Sequence, residues 1–268
     1  MTTTRVLLPS RRNVVPSPEV GRGLELVRTL SVHWRVVLLV VAAFFVVPLV
    51  ADDYWYSAIL IPFLVLGLAG LGLNLLTGYA GQLSLGSAAF MAVGAFATYN
   101  VQLRIPGIPL LVSLVLGGVV AALVGVFFGL PSLRIKGFYL IVSTLAAQFF
   151  VTWALTKFSW FSNDNPSGVI SAPPLDVFGV NLSDPQGRYL LSLSIVVVLT
   201  WIASNLIASP TGRSWMAVRD MDTAASVLGI PIFKSKLRAF ATSSFDCGVA
   251  GAHWAFAVLG TDEARGLD

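Results

Sequence analysis

The sequence predicts an all-α, polytopic membrane helix bundle of about seven spans. Only 11% of the 268 residues are charged, whereas a soluble domain carries about 25%. Mean hydropathy is +0.82. Apolar runs long enough to cross a hydrocarbon core of roughly 30 Å, at about 1.5 Å per residue, recur along the chain. They are too many and too closely spaced for one anchor on a soluble body. A single integral domain, residues 34–260, is therefore expected, with a basic arm at 1–33 and a short polar tail at 261–268.

Each element follows from the order of apolar and polar stretches. The arm holds Arg5, Arg11, Arg12, Arg22 and Arg28 with three prolines. It reads as a loose segment ending in a short surface helix near Gly23–Leu30. No short apolar core with a small-residue cleavage site follows it, so the first apolar run, 34–51, is expected to be a retained span. Asp52, Asp53, Tyr54, Trp55 and Tyr56 make an acidic and aromatic rim suited to a membrane interface. The second span is expected at 57–76, a short break at Thr77-Gly78, and the third span at 79–100. So short a break implies a tight hairpin or a broken helix whose irregular backbone is buried in protein. Further spans are expected at 108–130, 138–156, 189–208 and 237–260. The stretch 157–188 is rich in Asn, Asp, Pro, Gly and Ser and reads as turns. Trp153, Trp160 and Phe161 near Lys157 read as an interfacial belt.

Basic residues set the orientation. With the N-terminus in the cytoplasm, the inner side receives the arm with Arg35, then Arg134 and Lys136, then Arg213, Arg219, Lys234, Lys236 and Arg238. The outer side receives Arg104, Lys157, Arg188 and Arg265. That bias favours a cytoplasmic N-terminus. It also accounts for the net charge of +4 without invoking nucleic acid.

Small residues are spaced for close helix contact. Gly67–Ala97 contains no charged residue, and Ala80, Ser84, Ala88 and Ala92 fall every fourth position. Gly117, Ala121, Gly125 and Gly129 repeat the spacing. On helices these make smooth stripes that let backbones approach in a bilayer. Asn74, Gln82, Ser84 and Ser87 either serve that packing or line a polar path. Asp246 lies inside an apolar run, where a carboxylate costs about 2.5–3.5 kcal/mol on insertion scales. It reads as a polar partner inside the bundle or as tolerated drift. His33 and His253 stand far apart and Cys247 is the single cysteine, so no metal site or cofactor is expected. Neither a G-x-x-x-x-G-K-[ST] phosphate loop nor a G-x-S-x-G elbow occurs.

The polar segment 209–236 contains one amphipathic stretch, Ser214–Leu228. Ala217, Met221, Ala224, Ala225 and Leu228 share a helical face, and Arg219, Asp222, Thr223 and Ser226 occupy much of the other. Gly229 and Pro231 are stop signals. A single helix is expected, lying on the membrane or seated in a groove of a partner.

Gly212–Ile230, followed by Lys236–Ala241, resembles the cytoplasmic loop of ABC importer permeases. Ala224, Ala225 and Gly229 match its Glu-Ala-Ala…Gly pattern, with Thr223 at the glutamate position and acidic Asp222 beside it. Leu73–Phe90 resembles the branched-chain amino acid permease family, M-type subunit. Gly129–Tyr139 is a third matching block and Asn165–Gly168 a looser fourth. Family members often carry His where this chain has Ser87. They also continue through further spans beyond the equivalent of Gly260, which implies a partial chain. The resemblance implies an importer permease, not an enzyme. Its partners would be a second homologous permease, two ATPase subunits and an extracytoplasmic substrate-binding protein. The location would be a bacterial or archaeal cell membrane, and Gly212, Arg219, Asp222, Ala224, Ala225 and Gly229 would couple to the ATPases. Branched-chain amino acids are the expected substrates. Urea, short amides or another amino acid are the alternative within the class. An ion-coupled carrier or channel ranks lower, since it would expect inverted repeats and mid-membrane charges.

Overall fold

The computed structural model describes residues 34–105, 107–132, 138–163, 176–177, 180–181 and 184–259. The basic arm with its expected surface helix, the loop carrying Arg134 and Lys136, the Asn165–Gly168 block and the polar tail lie outside the described residues. The chain divides into two compact units, Met1–Val50 and Ala51–Asp268. In the first, an apolar helix, α1, runs over Trp34–Val50.

The second unit is a helix bundle. α2 runs over Trp55–Tyr79, α3 over Ser87–Arg104, α4 over Leu110–Ser132 and α5 over Phe138–Lys157. A short α6, Ser159–Ser162, follows. Two-residue strands, β1 at Asp176–Val177 and β2 at Val180–Asn181, pair antiparallel. α7 covers Pro185–Ala208, α8 Pro210–Asp220, α9 Asp222–Val227, and α10 Ile232–Trp254, which continues as a π-turn through Leu259. Among the described residues α2, α4, α5 and α7 are each long and apolar enough to cross a membrane.

α3 and α10 are less apolar because protein, not lipid, surrounds much of them. α10 packs on α4, α3 and α2, and α3 packs on α4 and α5. Small residues permit this. A side chain at Gly94 of α3 would meet the backbone of Gly248 on α10, and one at Gly251 would meet the backbone of Met91. With no hydrophobic drive between helices in lipid, such close contact supplies the dispersion energy that holds the bundle. Ser243, Ser244 and Asp246 on α10 are buried in the bundle, as is His253, which meets Ser192 of α7.

Two sequence expectations need correction. The break after α2 is not at Thr77-Gly78. The helix runs through both as a π-turn, and the Thr77 hydroxyl donates to Leu73 O at 2.8 Å. The irregular segment is 80–86. Gln82 N–H donates to Leu76 O across the end of the helix, and Gly81 takes φ +65°, a left-handed value that favours glycine. Ala80 and Ser84 thus lie off the helix that carries Ala88 and Ala92, and the four do not form one stripe. α3 buries a different face, with Ala89, Phe90, Val93, Gly94 and Thr98.

The second correction concerns Ser214–Leu228, which is two helices. Met221 between them is extended, with φ −158° and ψ 98°. α8 buries Gly212, Trp215 and Val218. A straight continuation at 100° per residue would carry Asp222 onto that same buried face. The break instead lets Asp222 reach Lys236, at 3.0 Å. Of the expected apolar face, Ala225 is buried, while Met221, Ala224 and Leu228 are exposed.

Candidate functional site

The segment after α7 is built onto the end of the bundle where α2 stops and α10 starts. Ser209 caps α8, its hydroxyl accepting from Thr211 N–H, and Pro210 sits at the first turn, where its missing N–H costs nothing. Gly212 lies against the Ile207 backbone, with no space for a side chain. Trp215 is only 1% exposed. It packs in a cluster with Leu75, Leu76, Ala80, Phe90 and Phe240, and its indole N–H donates to Ser235 O at 3.1 Å. α8 is thereby fixed to both α2 and α10.

Polar contacts then join this segment to the irregular stretch 80–86. Arg219 donates from Nη1 to Gly78 O at 2.7 Å and pairs through Nε with Asp220 at 2.9 Å. Its stem covers Gly81, so that a side chain there would strike Arg219 Cγ. Gln82 donates to Lys236 O at 3.3 Å, while Lys236 pairs with Asp222. On the far side, Leu85 N–H donates to Thr144 of α5 at 3.1 Å, and Gly86 N–H to Ser84 Oγ at 3.2 Å. These bonds answer backbone and amide groups that an apolar medium would leave costly. The two ion pairs are partly solvated and worth at most about 1 kcal/mol each. Their effect is to fix geometry.

α9 ends with two paired bonds, Gly229 N–H to Ser226 O and Ile230 N–H to Ala225 O, both 3.0 Å. This is a Schellman stop, and Gly229 supplies the left-handed residue at φ +80°. Ala225 anchors the helix inward. Met221, Val227 and Leu228 are 61%, 87% and 77% exposed. These exposed apolar side chains sit within an otherwise polar segment, 209–236.

The other residues singled out from sequence are scattered. Asn74 is exposed at the end of α2, and Gln82, Ser84 and Ser87 lie in or beside the 80–86 stretch. None of the four lines the cavity enclosed by α3, α4 and α5. On α4, Gly117 lies against Thr98, Gly125 against Ser244 and Gly129 against Phe240, and Ala121 is fully buried. Asp246 faces α2 at Gly72. Sequence reasoning missed Trp215, Lys236 and Gly81, and also the buried pair Ser192–His253, 2.6 Å apart. Indole and glycine carried only the weak signal of their residue types. The 222–236 and 192–253 pairings left no local trace.

Four described helices long and apolar enough to cross a membrane define the class as a multi-pass membrane protein. Residues 55–263 match the branched-chain amino acid transport system / permease component family, and the chain belongs to it. It is similar to the high-affinity branched-chain amino acid transport system permease protein LivM of Salmonella typhimurium, with 32% identity over 209 residues. It is also similar to the protein of that name in Escherichia coli K12, with 31% identity over 209 residues. Each comparison covers 69% of this chain and 49% of the relative. The chain thus spans about half the length of the curated relatives it matches. No solved structure matches it.

Proposed function

We propose that this chain is a transmembrane subunit of an ATP-driven, binding-protein-dependent importer of branched-chain amino acids. It works beside a second, homologous permease in a bacterial or archaeal inner membrane, with the N-terminus and residues 209–236 in the cytoplasm. It performs no ATP chemistry itself. An extracytoplasmic binding protein delivers substrate, and two ATPase subunits bind on the cytoplasmic side.

The observation that carries this reading is the exposed apolar edge of α9, set beside an α8 that is bonded to the last turn of α2. A partner that grips Met221 and Leu228 pulls on α8. Arg219 passes the displacement to Gly78, and Lys236 passes it to Gln82. Gly212, Asp222, Ala224, Ala225 and Gly229 shape this handle. The polar groups Gln82, Ser84 and Ser87 then border the part of the bundle that moves, with Asn74 one turn before it.

Reconstitution tests the reading. Proteoliposomes containing this chain, its homologous permease, the ATPase pair and the binding protein should accumulate leucine only with ATP inside the ATPase compartment. Met221→Asp combined with Leu228→Asp should prevent co-purification of the ATPase. Leucine flux through the purified chain alone, independent of any ATPase, overturns the proposal.

A further inference from the structure

A cavity of about 470 Å³ lies between α3, α4 and α5, closed at one end by α6. Its walls are apolar, among them Val93, Phe96, Val124, Phe128, Val151 and Leu155. Arg104, the last residue of α3, is the charged residue on its lining. It stands at the end of the bundle opposite residues 209–236. Arg104 lies flat on the Trp160 ring, with Cζ 3.7 Å from the centroid, and donates from Nη2 to Trp160 O at 2.8 Å. One turn earlier, Asn100 donates to Phe161 O at 2.8 Å. These two bonds pin α6 to α3 and fix the guanidinium at the mouth. Among the described residues no carboxylate pairs with Arg104. Its Nε and Nη1 are left to bind something else.

The surroundings say what that is. Trp153, Phe158 and Trp160 are 53%, 54% and 59% exposed around the mouth. Exposed tryptophan beside arginine is the chemistry of the headgroup level. Away from Arg104 and Asn100 the lining is apolar. The cavity thus repeats the order of a bilayer leaflet, a polar aromatic level followed by an apolar one. A guanidinium presents a planar fork suited to phosphate oxygens, and a basic pocket between spans attracts anionic headgroups.

We propose that this cavity is a phospholipid site. One acyl chain lies between α3, α4 and α5, and the phosphodiester of an anionic headgroup binds Arg104. The lipid comes from the leaflet facing away from residues 209–236.

Native mass spectrometry of the purified full chain tests this, with phosphatidylglycerol and phosphatidylcholine of identical acyl composition as probes. Phosphatidylglycerol should be retained about fivefold more strongly, as one basic residue near the headgroups contributes. Arg104→Gln should abolish the preference, and Arg104→Lys should keep part of it. Val120→Trp fills the cavity from a partly exposed wall position and should weaken both lipids. The helical circular dichroism of each variant should match that of the parent. Equal retention of the two lipids by the parent chain overturns the proposal, as does an undiminished preference in Arg104→Gln. Displacement of the lipid by the homologous permease also overturns it, because the cavity would then be a protein interface.

Discussion

Arg219 bonds to Gly78 across 141 positions of sequence while its side chain remains 40% exposed. An exposed side chain of this kind adds little to stability, about 1 kcal/mol or less. Its geometric effect is larger, because the carbonyl it holds lies in the last turn of α2, just before the irregular stretch. Arg219→Ala should shift thermal unfolding only slightly, yet leave ATP hydrolysis poorly converted into uptake. The ratio of leucine transported to ATP hydrolysed, measured in proteoliposomes, reads this directly. Trp215→Ala should behave oppositely. Removing a fully buried indole costs roughly 3–5 kcal/mol, so thermal unfolding in detergent should fall sharply before any coupling defect is seen.

At the scale of elements, the bundle rests on the approach of α3 to α10. Gly94 and Gly248 meet backbone to backbone there, so Gly94→Val would force the helices apart. Overpacking of this sort typically costs about 1–3 kcal/mol or more. Gly67 of α2 has open space where a side chain would go, so Gly67→Ala should be neutral or slightly stabilising. Paired melting curves of the two variants check the contrast. The positions of the helices were legible in sequence because each is a long apolar run bounded by polar residues. Their ends were less so. α10 begins at Ile232, not 237, because Lys234 and Lys236 give its first turns the look of a loop, although Lys236 is turned to Asp222. The break at 80–86 was misplaced for a similar reason. Thr77-Gly78 carries the local turn signal, while the actual break depends on Gly81 lying under Arg219 and on Leu85 reaching Thr144.

At the scale of the molecule, the two ends of the bundle differ in kind. One carries Gly78, residues 80–86, α8, α9 and the start of α10. The other carries Arg104, Trp160 and the start of α7 at Pro185. Under the proposed orientation the first faces the cytoplasm. Fluorescent-protein fusions after Asp220 should glow and phosphatase fusions there should be inactive, and the reverse should hold after Gly107. A phosphatase active after Asp220 would reject the orientation. The site was readable in part: Gly229 announced a helix stop, and of the expected apolar face Ala225 is buried, whereas Ala224 beside it is exposed. The couplings 219–78, 82–236 and 222–236 were not readable, since hydrogen bonds between distant positions follow from tertiary approach rather than from local pattern.

Cys247 has a separate use. It is the sole thiol of the chain, fully buried on α10, with its sulfur 3.7 Å from Ala69 O of α2. Alkylating reagents reach it only when those two helices part. The rate at which the unmodified protein is alkylated therefore serves as a built-in clock for the opening of that seam, with no probe introduced.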